Sequence, residues 1–256
     1  MDKGAIEGVG VKDDITRVEQ AVNNRATKED VVGVKTRQDK LTLAAAALCL
    51  SGKVSYWDDR YTKDPEPFDW YQRYSGIKDL VAAQMKHEDN VLMLGCGNSR
   101  LSEDMLEDGF TSITNIDISR VVIDQMIERH KDKPALVWQR MNAMALEYPD
   151  ESFDAAVDKG TLDSLMCGEG ASANVAKMCM EVSRVLKPNG VYLVISYGAP
   201  DSRLKYLQSD DYSWTVSVAT LPKPAISAAA IPDTKDASAV HYVYLCRKGG
   251  TAEEGG

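Results

Sequence analysis

Between residues 90 and 196, short apolar runs alternate with longer segments of helical periodicity. The apolar runs are short enough for buried strands, and each is followed by turn residues or by a pattern typical of an amphipathic helix. The predicted strands are 90–95, 112–117, 136–139, 152–158 and 191–196, and the predicted helices are 100–108, 119–131 and 173–186. This alternation predicts βαβ units, and therefore an α/β fold with a doubly wound, Rossmann-like, mostly parallel sheet.

The C-terminal part of the chain departs from this alternation. Two further strands are predicted, at 213–221 and 240–246, with no convincing helix between them. We expect them to form an antiparallel hairpin at the end of the sheet. The loop at 222–238 contains three prolines and is predicted to be a flexible excursion.

The domain boundaries follow from composition. Residues 1–53 carry nine basic and eight acidic residues and no aromatic residue, whereas all 18 aromatic residues follow. A segment of this kind cannot support a core alone, so it is predicted to be a partly helical or flexible extension, either a mobile tail or a docking arm for a partner. We expect one domain at 54–248, which includes an amphipathic helix at 77–85, and a flexible tail at 249–256.

The sharpest local feature is a predicted strand that runs into a glycine turn and then a helix. Gly95 and Gly97 allow the backbone to turn tightly and to approach a ligand at the carboxyl end of the first strand. A dinucleotide fingerprint needs a small residue where this chain has Arg100, so NAD and FAD are disfavoured. Asp117 ends the second strand 20 residues after Gly97, where a carboxylate can accept both hydroxyls of a ribose. An adenosine-containing cofactor without a pyrophosphate fits this pattern best, although the glycines alone also suit an ordinary turn.

A second group of polar residues follows the fourth predicted strand. Asp158, Lys159 and Asp163 lie in the segment Asp-Lys-Gly-Thr-Leu-Asp, and we expect their side chains at the same edge of the sheet as the glycine turn. The alternative is an exposed Asp-Lys pair before a turn, which contributes little stability.

Charge and composition exclude several classes of function. The formal net charge of −9 argues against nucleic-acid binding, which depends on clustered Lys and Arg. The five cysteines and three histidines show no metal-ligand spacing, so no metal site is predicted. No apolar stretch is long enough for a membrane span, and the N-terminal residues resemble neither a signal nor a transit peptide, so a cytoplasmic location is expected.

Several motifs together carry a family resemblance. They are Tyr-Trp-Asp-Asp-Arg-Tyr at 56–61, Phe-Asp-Trp at 68–70, Val-Leu-Met-Leu-Gly-Cys-Gly-Asn-Ser at 91–99, Asp-Ile-Ser at 117–119, the block at 158–163, and Glu-Val-Ser-Arg-Val-Leu-Lys-Pro-Asn-Gly at 181–190. From about residue 56 to 250 the chain resembles the class I, seven-strand S-adenosylmethionine-dependent methyltransferases that include the elongation factor 1-alpha and citrate synthase lysine methyltransferases.

The resemblance implies a set of residues that bind S-adenosylmethionine. Trp57, Tyr61 and Trp70 would close over its methionine end, and the aromatic rings suit a sulfonium cation. The other implied roles are the following: Arg60 meets the carboxylate, Gly95 and Gly97 line the cofactor, Asp117 holds the ribose, Ile118 packs on the adenine, Asn142 and Ala143 bracket the adenine edge, and Lys159 lies along the cofactor. Relatives often carry Asp at position 142, although an Asn oxygen can also accept from an amino group. Plain core packing is the alternative for the aromatic residues.

The expected activity is methyl transfer to a lysine of a protein substrate, with a translation factor as one candidate substrate. The carboxylates of Asp158 and Asp163 are candidates to orient the amine or to accept its proton. Two alternatives stay open at this point. One is a catalytically silent scaffold with residues 1–53 as a docking arm, and the other is a small-molecule methyltransferase with 197–212 and 222–238 as a lid.

Overall fold

The computed structural model describes residues 54–224 and 239–250. This part of the chain contains seven strands: β1 (Asn90–Leu94), β2 (Ser112–Asp117), β3 (Leu136–Arg140), β4 (Phe153–Lys159), β5 (Leu186–Ser196), β6 (Trp214–Pro222) and β7 (Val240–Lys248). They form one sheet in the order β3-β2-β1-β4-β5-β7-β6. The predictions for residues 1–53, for most of the loop at 222–238 and for 251–256 lie outside the described residues.

The sheet is parallel from β3 to β5 and antiparallel at its C-terminal end. β1 pairs in parallel with β2 and β4, β2 with β3, and β4 with β5. β7 pairs antiparallel with both β5 and β6. The α/β fold with a mostly parallel sheet and an antiparallel C-terminal hairpin is therefore confirmed.

Helices cover both faces of the sheet. The described α-helices are α1 (Val54–Lys63), α2 (Lys78–Gln84), α3 (Leu101–Glu107), α4 (Arg120–Arg129), α5 (Thr161–Leu165), α6 (Ala171–Val185) and α7 (Pro200–Leu207). Single turns of 3₁₀ helix lie at Tyr74–Gly76 and Asp210–Tyr212. The sequence patterns gave no separate prediction for α5 and α7, because helices of one or two turns are too short to show a periodic apolar stripe.

Alternation along the strands separates the two halves of the core. On β1, Val91 and Met93 pack in a cluster with residues of α1 to α4. Leu92 and Leu94 point the other way, into a cluster with residues of α5, α6 and α7. Because both faces are covered, Val91 to Leu94 of β1 are all apolar and all buried.

The strand order reverses direction at β1 and β4. From β1 the chain adds β2 and β3 on one side, and β4 and β5 on the other. In open α/β sheets a crevice forms at such a reversal, outside the carboxyl ends of the strands. The fold therefore places Gly95, after β1, beside the residues that follow β4.

Candidate active site

The glycine turn after β1 has the backbone geometry that only glycine adopts without strain. Gly95 and Gly97 have φ values of +56° and +53°. A Cβ atom at Gly95 would collide with Oγ1 of Thr161, a hydroxyl that donates a hydrogen bond of 2.8 Å to the Leu94 carbonyl oxygen. A Cβ atom at Gly97 would lie 2.6 Å from the Tyr61 hydroxyl. Thr161 and Tyr61 therefore pack directly on the turn at the carboxyl end of β1, and neither glycine position has room for a side chain.

Asp117 lies directly beside this turn. One of its carboxylate oxygens accepts the Gly97 N–H at 2.9 Å, and the other accepts the Ser119 N–H at 2.9 Å. Burial raises the pKa of Asp117 to about 6, although the two backbone N–H groups partly oppose this shift. Two residues that are 20 positions apart in sequence therefore form one polar edge, and lone pairs remain on the carboxylate for a further donor.

The first helix places Tyr61 against the glycine turn, and Trp57 stacks on Tyr61. The rings of Trp57 and Tyr61 stack with their centroids 5.8 Å apart, and Tyr61 is buried. The guanidinium of Arg60 lies 5.4 Å from the ring centroid of Phe68 and 5.7 Å from that of Trp70. The structure therefore brings the aromatic residues at 56–61 and 68–70 together, with Arg60 between them.

Asp58 forms contacts that the sequence motifs did not predict. Its carboxylate accepts the Ser119 hydroxyl at 2.6 Å and the Val121 N–H at 3.4 Å. Ser119 is the N-cap of α4, and its hydroxyl also accepts the Val122 N–H at 3.3 Å. Asp58 thereby fastens α1 to the start of α4, next to Asp117.

The segment after β3 forms the far side of the crevice. The Met141 N–H donates to the Asp117 carbonyl oxygen at 3.0 Å, which joins this segment to the end of β2. Oδ1 of Asn142 accepts the Met144 N–H at 2.9 Å and so closes a tight turn. Ile118, Asn142 and Ala143 are all partly exposed.

Asp158 and Lys159 are committed to contacts within the chain. Asp158 is completely buried, and its carboxylate accepts the N–H groups of Thr161 and Leu162 and the Tyr192 hydroxyl. Burial raises the pKa of Asp158 to about 7. Nζ of Lys159 lies 3.2 Å from the Asp69 carboxylate and 3.0 Å from the Trp70 carbonyl oxygen. Lys159 thus holds the 68–70 segment against the end of β4.

Asp163 is the centre of a buried network. Its Oδ1 accepts the Ser196 hydroxyl at 2.5 Å and Nε of Arg203 at 3.0 Å. Its Oδ2 accepts the Tyr71 hydroxyl at 2.8 Å and the Tyr197 N–H at 3.1 Å. Nη2 of Arg203 adds an ion pair at 2.9 Å. The partners come from three separate segments, so no local pattern could have predicted them.

The proton-accepting role predicted for Asp158 or Asp163 stays a prediction, and their contacts favour positioning instead. Each carboxylate already accepts at least three hydrogen bonds, and neither side chain is exposed. Among residues 54–224 and 239–250, no group of three metal-ligating side chains comes together. No helix in the same ranges combines the length and apolar character of a membrane span.

Comparisons with known proteins agree with the fold. The sequence profile described as "Methyltransferase domain" matches residues 92–194, which run from β1 to β5. An S-adenosylmethionine-dependent methyltransferase from Methanosarcina mazei has the same fold, with a TM-score of 0.52 at 17% identity, over 72% of this chain and 100% of that one. The fold and the site define a class I methyltransferase, whose methyl donor is S-adenosylmethionine.

More similar sequences narrow the class to a family. EEF1A lysine methyltransferase 4 from Bos taurus is 36% identical over 182 residues, which are 67% of this chain and 71% of that protein. The Mus musculus protein of the same name is 34% identical over 174 residues, 64% of this chain and 68% of that protein. The chain belongs to the methyltransferase family that contains these proteins. The resemblance drawn from the sequence motifs is thereby confirmed.

Proposed function

We propose that this protein methylates a lysine side chain of a protein substrate, and that the substrate is elongation factor 1-alpha. The proposal is supported by the names of its relatives, EEF1A lysine methyltransferase 4. With such a substrate, we expect the protein to act in the cytoplasm. The observation that carries the methyltransferase part is the contact of Asp117 with the glycine turn, at the point where the strand order reverses.

The residues at this edge fit the methyl donor. Gly95 is partly exposed and has no side chain between its backbone and a ligand, and the Asp117 carboxylate can accept ribose hydroxyls. Ile118, Asn142 and Ala143 line the partly exposed side where an adenine ring fits. We assign Trp57, Arg60, Tyr61 and Trp70 to the methionine end of the donor. The aromatic rings suit its sulfonium, and the guanidinium suits its carboxylate. Lys159 contributes by holding the segment that contains Trp70.

The chemistry needs positioning more than acid-base groups. When bound, S-adenosylmethionine supplies an electrophilic methyl group on a sulfonium. The chain has to hold an amine nitrogen in line with that methyl group and to exclude water, which is the contribution that orientation makes to a displacement. Asp158 and Asp163 act here as positioning residues, because Asp158 fixes the start of α5 and Asp163 fixes the surrounding loops.

The remaining parts of the proposal concern the rest of the chain. We assign the methyltransferase domain to residues 54–248 and a docking role to residues 1–53. The net charge of −9 suits a substrate with a basic surface, because opposite charge accelerates association.

The first experiment is calorimetric titration of the full chain with S-adenosylhomocysteine. We expect micromolar binding that is lost in Asp117→Ala and in Gly95→Arg. Asp124→Ala is the matched control, since Asp124 is an exposed carboxylate on α4 that pairs with the exposed Arg120 at 3.4 Å. Absence of binding by the intact protein would overturn the enzyme assignment and favour a scaffold with a methyltransferase fold.

The second experiment tests the acceptor. Recombinant, unmethylated elongation factor 1-alpha is incubated with the protein and with donor that carries a labelled methyl group, and the modified residue is located by mass spectrometry. Label on a lysine supports the proposal. Cofactor binding without any transfer to this substrate would retain the methyltransferase and refute the acceptor.

A further inference from the structure

Tyr71 has a backbone conformation that its sequence does not favour. Its φ is +62°, in the left-handed region that a residue with a Cβ rarely adopts. Such strain persists only where the surroundings hold it, and it concentrates at functional sites. The tyrosine follows the segment that contains Trp70, but the sequence motifs assigned it no role.

A hydrogen bond to a buried carboxylate holds the Tyr71 side chain in place. The Tyr71 hydroxyl donates to Oδ2 of Asp163 at 2.8 Å, and Asp163 is itself fixed by Ser196, Arg203 and the Tyr197 N–H. Burial and the neighbouring Asp163 carboxylate raise the pKa of Tyr71 far above its usual range. The phenol therefore stays protonated and cannot act as a base. Its ring is partly exposed and packs on one side against the His241 ring, with the two centroids 5.0 Å apart.

The ring lies next to the proposed cofactor site. It lies against Gly160, where a Cβ atom would come within 3.3 Å of it. The next residue, Thr161, touches the Gly95 turn. A short chain of contacts thus leads from Gly95 through Thr161 and Gly160 to the Tyr71 ring.

Tyr197 extends this aromatic surface outward. Its ring centroid lies 6.3 Å from that of Tyr71, and 41% of the residue is exposed. Its backbone N–H is bound by the same Asp163 oxygen that holds the Tyr71 hydroxyl. One buried carboxylate therefore holds the Tyr71 hydroxyl and the Tyr197 backbone, and the guanidinium of Arg203 lies 5.1 Å from the centroid of the Tyr197 ring.

We propose that Tyr71 and Tyr197 form the wall along which the substrate's side-chain amine enters, with Asp163 as the positioning residue for both. This inference rests on the proposed function, because it takes the acceptor to be an aliphatic amine. The faces of aromatic rings attract an ammonium group, and their edges pack against its methylene chain. The wall lies on the β4 and β5 side of the crevice, whereas Asp117 and the assigned adenine residues lie on the β2 and β3 side.

The test separates acceptor binding from cofactor binding and from folding. Steady-state kinetics with recombinant elongation factor 1-alpha, and titration with S-adenosylhomocysteine, are measured for Tyr71→Leu, Tyr71→Phe and Tyr197→Leu. Tyr148→Leu is the control, because Tyr148 packs against Phe153 at the opposite end of β4.

We expect Tyr71→Leu and Tyr197→Leu each to raise KM for the protein acceptor by about 3- to 30-fold, the range of a cation–π contact. Cofactor affinity stays within twofold of the wild type. Tyr71→Phe retains the ring and changes KM less than Tyr71→Leu, and Tyr148→Leu leaves KM unchanged.

An unchanged acceptor KM in Tyr71→Leu and Tyr197→Leu, with normal cofactor affinity, would overturn this inference alone. If Tyr71→Leu does not fold, the exposed position of Tyr197 makes Tyr197→Leu the deciding variant. A wild-type protein that transfers no methyl group to the acceptor refutes the proposed function as well, so the two failures are distinguishable.

Discussion

Replacement of Gly95 by alanine tests how the glycine turn is built. An alanine at φ +56° carries a backbone cost of about 1–2 kcal/mol, because its Cβ approaches the following carbonyl group. The new Cβ atom also collides with Oγ1 of Thr161, so this side chain has to rotate and lose its hydrogen bond to the Leu94 carbonyl. That loss adds about 1 kcal/mol. We therefore expect Gly95→Ala to lower the free energy of unfolding by about 2–3 kcal/mol.

The chain offers a matched control for the backbone cost. Gly170 also has a left-handed conformation, with φ +70°, but the nearest atom to a Cβ at this position is Nδ2 of Asn174 at 3.9 Å. Gly170→Ala therefore carries only the backbone cost of about 1–2 kcal/mol. Urea denaturation of both variants measures the difference between the two positions.

A double-mutant cycle isolates the collision itself. Thr161→Ala removes the colliding hydroxyl, so Gly95→Ala combined with Thr161→Ala is expected to be less destabilised than the sum of the single variants, by about 1 kcal/mol. Equal costs at Gly95 and Gly170, together with additive effects in the cycle, would refute the steric explanation of this turn.

Two further predictions concern buried charge. Asp163→Ala leaves the Arg203 guanidinium buried without its ion pair and should lower the free energy of unfolding, measured by urea denaturation, by about 3–5 kcal/mol. Part of this loss should be recovered when Arg203→Met is added. A loss below about 1 kcal/mol would contradict the network. Burial lowers the pKa of His241 from its ordinary value of 6.5 to about 4, so the folded protein keeps this ring neutral while the unfolded chain takes up a proton. The contribution of this histidine to stability is therefore full above pH 6.5 and is lost as the pH falls towards 4. Between pH 7 and 4.5, the wild type should therefore lose about 2 kcal/mol of stability relative to His241→Leu. A difference that does not change with pH would show that the ring titrates normally.

Local patterns in the sequence were sufficient for the architecture. Burial on both faces requires apolar strands, so the alternation of apolar runs with helical stripes predicted the parallel sheet that β1 to β5 form. The glycine turn was equally readable, because positive φ at Gly95 and Gly97 depends on residue type and on the strand before it. The spacing to Asp117 follows from the length of one strand–helix–strand unit, and the structure places that carboxylate on the Gly97 N–H.

The short helices and their ends were harder to predict from the sequence. The helix after Gly160 has five residues and begins where the Asp158 carboxylate accepts two N–H groups, so its start depends on a buried side chain rather than on an apolar stripe. α7 has only eight residues, and its Arg203 is buried against an acidic partner. Periodicity treats a charged residue as solvent-facing, whereas a paired one can lie in the core.

The sequence by itself determined which segments are strands, where the glycine turn lies and which family the chain resembles. Only the tertiary structure decided what each polar side chain in the crevice binds. Lys159 was expected to lie along a cofactor, and it is paired with Asp69, 90 positions away. Asp163 was expected at the rim, and it joins Tyr71 to Arg203 across separations of 92 and 40 residues. The physical reason is that burial follows from local periodicity, whereas hydrogen bonds between distant segments depend on how strands and helices stack in three dimensions.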